Sequence, residues 1–323
     1  MPMSEKEIIA IEEHYIDPIL FKKKSSVSTP SAIEKKLLDL GQDRIKHMDK
    51  SGIDIQILSH NHPSVQNLET KIALVNTQEV NNNLYESIIK FPDRFKGFAS
   101  LPTQIPDQAA DELERTILDL KFCGGMIHGM PDGKFLDEKF FWPIFERAQK
   151  LDVPIYIHPG FPHKNVIDTY YNKYSETHPM ILTAGWGFTF ETATTAIRLI
   201  LSGIFKHLPK LKIILGHMGE GIPFLLWRIH TSFAERGVPN IDKVDIRAVF
   251  NNNFYITTSG NFSNTALMAS IMEIGIDKII FAVDYPYNDS KRGVDWILKS
   301  PITVQNKNKI CSLNARKLLF KYS

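Results

Sequence analysis

Eight short runs rich in β-branched and aromatic residues recur along this chain, and most of the segments between them carry apolar residues at helical spacing. The runs cover residues 8–14, 53–59, 95–101, 123–129, 154–160, 212–218, 254–260 and 278–284. Helical spacing appears over 31–49, 68–91, 107–120, 140–151, 189–205 and 262–274, and the first of these opens on Ser31 with Glu34 three residues on, a capping-box pattern. Strand then helix, repeated every forty residues or so, is the rhythm of an α/β protein of the (β/α)₈ TIM-barrel class. A doubly wound open sheet would more naturally place a Gly-rich turn after its first strand, and here that turn reads Tyr15-Ile16-Asp17-Pro18. The sequence therefore predicts one barrel domain over residues 1–323. Two longer connections, 16–30 and 161–186, are expected over the same barrel face, where substrate loops sit.

Composition excludes several classes. With 43% hydrophobic and 23% charged residues the chain can build a large core, and a formal net charge of +2 without a block of like charges gives no nucleic-acid footprint and no polybasic membrane anchor. The run Lys22-Lys23-Lys24 reads as a solvated loop. Cys123 and Cys311 are too few for a disulfide framework or a thiolate zinc cluster and are expected as buried thiols in a reducing compartment. The N-terminus lacks a signal-peptide pattern and no run approaches a membrane span, so the expected location is the cytoplasm.

The polar residues at the strand ends carry the chemistry. The first run is apolar until it closes in Glu12-Glu13-His14, and Glu12 and His14, two apart, share a strand face. His158 ends the fifth run, His217 the sixth and Asp284 the eighth, each just before a Gly or Pro turn. Each alone is compatible with a hydrogen-bonded core or surface residue. In a barrel, however, these ends converge on one mouth. Imidazoles with two carboxylates suit a divalent ion such as Zn²⁺ or Mn²⁺.

Glu12-Glu13-His14, His158-Pro159-Gly160, Gly216-His217-Met218-Gly219-Glu220 and Asp284-Tyr285-Pro286 closely resemble the amidohydrolase superfamily. Within it they are most similar to the aromatic-acid decarboxylases, the branch with γ-resorcylate and 2,3-dihydroxybenzoate decarboxylases. The resemblance spans nearly the whole chain and includes residues 48–54 and 97–102, Trp227-Arg228 and Asn314-Ala315. It implies that Glu12, His14, His158 and Asp284 hold one divalent metal ion, Zn²⁺ or Mn²⁺. It also implies that His217 and Arg228 line the substrate site and that the chain forms a homodimer or homotetramer. The fourth run has no Lys, so a bridging carbamate and a second metal are not expected there, and the Glu-x-His pair replaces the His-x-His of many hydrolytic relatives.

The implied reaction is non-oxidative decarboxylation of a hydroxylated aromatic carboxylic acid, such as a 2,6- or 2,3-dihydroxybenzoate. Asp284 is the expected proton donor, with a raised pKa, supported by His217 and Glu220, and Arg228 holds a substrate oxygen. Phe21, Trp186, Phe188 and Tyr287 are candidate ring walls. His128, where several relatives carry Asn, and His60 and His62, where relatives are less polar, are candidates for extra substrate contacts or for solvated positions. A hydrolase, lactonase or hydratase using metal-activated water is the alternative. A silent binding barrel is the third reading, because the fold alone decides no chemistry.

Overall fold

The computed structural model describes residues 7–24, 30–235 and 244–322; residues 1–6, with the N-terminal segment discussed above, lie outside this set. Nine parallel strand segments make the barrel: β1 Ile9–Tyr15, β2 Ile55–His60, β3 Phe95–Gly97, β4 Ala99–Ser100, β5 Gly125–His128, β6 Ile155–His158, β7 Ile213–Leu215, β8 Phe254–Thr257 and β9 Ile279–Ile280. β3 and β4 are one barrel strand interrupted at Phe98, whose amide still donates to Leu58 O at 2.8 Å. At the other seam Ile11 N donates to Phe281 O at 3.1 Å and Ile11 bridges Ala282, closing the eight-stranded ring. The eight expected strands are therefore present, as shorter segments than the apolar runs.

Alternation along each strand sorts two cores. Ile9, Ile11, Ile55, Ile57, Phe98, Met126, Tyr156, Ile214, Ile280 and Ala282 pack together inside the barrel, and Ala315, Leu318 and Leu319 of the C-terminal helix Asn314–Leu319 belong to the same cluster. Their partners of opposite parity, among them Ala10, Leu58, Ile127, Ile157, Leu215 and Phe281, pack under the surrounding helices.

Three local expectations meet the structure differently. Ser31 caps as read: Ser31 Oγ accepts from Glu34 N at 3.2 Å, and Ser31 N donates to Glu34 Oε2 at 2.8 Å. The helix it opens, however, stops at Leu38, and a second begins at Gln42, because Gly41 N turns back to Asp39 Oδ1 at 2.8 Å. The basic run at Lys22 ends a short helix, Pro18–Lys24, rather than lying in a loop. Among the described residues no helix is long and apolar enough to cross a membrane.

Candidate active site and metal centre

The C-terminal end of β1 is not regular. Strict alternation from inward Ile9 and Ile11 would send Glu13 into the barrel and Glu12 and His14 outward. A bulge between Ile11 and Glu13, with Glu12 at φ 66°, inserts one residue and turns both Glu12 and His14 inward. Asp284, at φ 72°, and His217 and Glu220, at φ 49° and 54°, are likewise left-handed. Such backbone costs about 1–3 kcal/mol per residue and persists only where the surroundings over-determine it. A left-handed turn aims Glu220 back at His217. Gly216 is needed on the approach, since a Cβ there would lie 3.1 Å from each Glu12 carboxylate oxygen.

One ligand atom from each of Glu12, His14, His158 and Asp284 falls within 4.8 Å of all the others. His14 Nε2 lies 3.3 Å from Asp284 Oδ1, and His158 Nε2 lies 3.5 Å from Glu12 Oε1. The other side of each group is already occupied. His14 Nδ1 meets Ser59 Oγ at 3.1 Å, and His158 Nδ1 meets Pro159 O at 2.8 Å and His128 Nδ1 at 3.1 Å. Glu12 Oε2 accepts from Tyr156 Oη and, at 3.2 Å, from Thr257 Oγ1. The tautomers that donate from Nδ1 leave both Nε2 lone pairs facing the centre. Glu12 Oε1 and His14 Nε2 are buried without a hydrogen-bond partner. Orphaned buried atoms of this kind are rare, and a divalent ion satisfies them. The residues fit the metal.

Electrostatics divide the site in two. Burial and the neighbouring imidazoles of His14 and His128 push the His158 pKa well below the usual histidine range, so it is a neutral ligand. Burial works against the His217 cation, but the Glu220, Glu12 and Asp284 carboxylates outweigh it and hold His217 well above that range. His217 Nδ1 donates to Glu220 Oε1 at 2.7 Å, while its Nε2 lies 3.7 Å from Glu12 Oε1 and 4.0 Å from Asp284 Oδ2. The expected rise of the Asp284 pKa is reversed: burial would raise it, but the neighbouring imidazoles of His14 and His217 hold it below the usual carboxylate range.

Around this centre the candidate walls separate. Tyr287 edges His14 at 6.1 Å between centroids, and its hydroxyl donates to Asn61 Oδ1 at 2.9 Å. His62 packs on Phe161, and Phe161 on Phe188, each pair 5.7 Å apart. Phe21, His60, Asn61 and His62 line a cavity of ≈ 360 Å³. His60 anchors the loop: Nε2 accepts from Asp17 N and Nδ1 donates to Asn61 O, both at 2.9 Å. His128, a candidate for either a substrate contact or a solvated position, is buried against His158, held by that ring and by a backbone hydrogen bond to His60.

Trp186 and Arg228 are both exposed to solvent. Trp186 is 51% exposed and packs 4.2 Å from Phe190; Arg228 is exposed on helix Ile222–Glu235, with no side-chain partner among the described residues. Sequence reasoning missed Tyr156, Thr257 and Ser59. Tyr156 shares the inward parity of His158 on Ile155-Tyr156-Ile157-His158, which was the available signal.

A family model described as amidohydrolase matches residues 39–321. The chain belongs to the amidohydrolase family. A γ-resorcylate decarboxylase from Polaromonas sp. strain JS666 is 38% identical over 96% of this chain and 97% of its own length. A crystal structure of 2,6-dihydroxybenzoate decarboxylase with 2,6-dihydroxybenzoate superimposes with a TM-score of 0.88 at 37% identity, covering 97% of this chain and 99% of that one. The Polaromonas dihydroxybenzoic acid decarboxylase, solved with manganese and the inhibitor 2-nitroresorcinol, gives 0.86 at 37%, over 97% and 96%. The barrel fold expected from the strand rhythm is the fold of this amidohydrolase.

Proposed function

We propose that this amidohydrolase is a metal-dependent, non-oxidative decarboxylase of an aromatic acid with a hydroxyl ortho to its carboxylate, of the 2,6-dihydroxybenzoate type, working as a single barrel domain. The observation that carries the reading is the four-residue metal site with the His217–Glu220 pair beside it, His217 Nε2 lying 4.0 Å from Asp284 Oδ2. Relatives matched over nearly their full length are named for this reaction.

Glu12, His14, His158 and Asp284 would hold the divalent ion, which would supply positive charge for an anionic substrate. Manganese is our assignment, supported by the two hard carboxylate donors and by its presence in the Polaromonas structure. His217 keeps its proton at Nε2 while Glu220 holds the Nδ1–H. Asp284 Oδ2 receives that proton and delivers it to the ring carbon bearing the carboxylate. The bond from that carbon to the carboxylate then breaks, its electron pair restores the aromatic ring, and CO₂ leaves. One proton is consumed per CO₂, and His217, whose side chain is 20% exposed, is reprotonated from the mouth.

We further assign a homodimeric or homotetrameric assembly. Phe224 is 82% and Trp227 64% exposed, beside a groove of ≈ 560 Å³ lined by Phe190, Ile197, Phe224 and Leu225. Arg228 shares this helix, so its substrate role is placed in the site of a second copy. Co-assembly of Arg228→Ala with His158→Ala chains is expected to restore activity that neither has alone. We place the protein in the cytoplasm, with Cys123 and Cys311 as buried thiols.

The test is a product analysis with salicylate, the dihydroxybenzoates and carboxyvanillate, with Mn²⁺ and Zn²⁺ each supplied. CO₂ and the matching phenol from an ortho-hydroxy acid are expected. Lactone hydrolysis with no CO₂ from any acid would establish the hydrolytic alternative.

A further inference from the structure

Three fully buried polar side chains lie on the outer side of the barrel wall, behind the metal site: Glu13 of β1, Gln56 of β2 and Arg44 of helix Gln42–Ser51. None faces the mouth. A buried Arg and a buried Glu are costly to desolvate, and replacing such pairs by apolar residues is often neutral or stabilising. Their place in the core therefore calls for a reason beyond packing.

Their bonds supply one. Arg44 Nη1 donates to His14 O at 2.8 Å, and Arg44 Nε donates to Gln56 Oε1 at 2.8 Å. Gln56 Nε2 donates to Glu13 Oε2 at 3.1 Å, and Glu13 Oε1 accepts from Val283 N at 2.9 Å. The Arg44 guanidinium also stacks 4.6 Å over the Tyr285 ring, and His14 N donates to Tyr285 O at 2.8 Å. The chain of bonds thus runs from the backbone of His14 to the residue before Asp284, and the stack holds the residue after it. His14 lies just past the β1 bulge, paired with Ser59 of β2 on one side, whereas Asp284 lies beyond the end of β9 at φ 72°, where no ladder pairing continues.

We propose that Arg44, Gln56 and Glu13 form a positioning relay that sets the spacing of His14 and Asp284, and hence metal affinity and coordination geometry, without touching metal or substrate. The proposal rests on the reading of Glu12, His14, His158 and Asp284 as a metal site. Its direction is fixed by chemistry: Gln56 presents its carbonyl to the Arg44 donor and its NH₂ to the Glu13 acceptor. Lysine at 44 cannot reach His14 O and Gln56 Oε1 with a planar fork. Glutamine at 13 must oppose an NH₂ to that of Gln56, or present one to Val283 N, so either amide orientation leaves donors facing donors.

The experiment loads wild type, Arg44→Lys, Gln56→Met and Glu13→Gln with Mn²⁺ and measures loss of the ion to a chelator, the Mn²⁺ EPR spectrum and the melting temperature of the metal-free protein. Each variant is expected to bind Mn²⁺ about ten- to a hundredfold more weakly per folded chain, with an altered EPR spectrum. The Arg44→Lys, Gln56→Met double variant is expected to lose no more than the worse single one, because both cut one relay. A lowered melting temperature with wild-type affinity and spectrum would overturn the relay and leave a purely structural cluster. Glu13→Gln, nearly isosteric, keeps the test decisive if the other two fail to fold. Wild type failing to bind one Mn²⁺ would instead remove the underlying metal-site reading.

Discussion

The barrel mouth and the outer face of helices Gly187–Leu201 and Ile222–Glu235 both break the usual sorting of side chains, in opposite senses. At the mouth, carboxylates and imidazoles are buried, and three of their atoms, Glu12 Oε1, His14 Nε2 and Glu220 Oε2, have no hydrogen-bond partner. On the outer face, large apolar side chains such as Phe224 and Trp227 stand in solvent. The first departure calls for something small and charged, the second for something broad and apolar. Residue type alone does not distinguish the two regions, since each contains aromatic rings and a cation. Burial and hydrogen-bond completeness do.

Substitutions at the mouth should change chemistry and leave assembly intact; those on the outer face should do the reverse. The largest effect is expected for Asp284→Asn, which removes a ligand and the proton-delivering oxygen together. Turnover should fall below detection with weakened Mn²⁺ binding, read by metal analysis and CO₂ release, and near-normal activity would end the assignment. Next is His217→Asn, expected to lower kcat by about 10²–10⁴-fold while one ion stays bound, a separation that metal content and kinetics resolve. Phe224→Lys should shift the protein toward a smaller species in sedimentation without changing metal content. Ser31→Ala, remote from both regions, should cost about 1 kcal/mol in unfolding free energy and leave kcat unchanged; a kinetic effect there would blur the distinction.

Much of the mouth was legible because strand ends in a barrel converge regardless of chain separation. His158 and Asp284 were placed by that rule alone. Glu12 and His14 were placed on one face correctly, but by an alternation that the bulge at Glu12 interrupts; the inward parity of Ile9 and Ile11 would have chosen Glu13. The Ser31 cap was legible because it is local, whereas the break before Gln42 depends on an Asp39 side chain turning onto Gly41 N. The exposure of Trp186 and Arg228 was not legible, because periodicity shows that a helix has faces without showing what each one meets. The low pKa of Asp284 was hidden for a similar reason: it is set by His14 and His217, which reach it from other strands. Tyr156 stood on the right parity beside His158 and read as an ordinary strand aromatic.

The central claim is that one divalent ion, held at the mouth by Glu12, His14, His158 and Asp284, is required for decarboxylation. The most direct test is a titration of metal-stripped protein with Mn²⁺ while CO₂ release from 2,6-dihydroxybenzoate is followed. Activity that is absent after stripping and rises to a plateau at one Mn²⁺ per chain is the expected result. Activity that survives stripping, or a plateau at two ions per chain, would contradict the account.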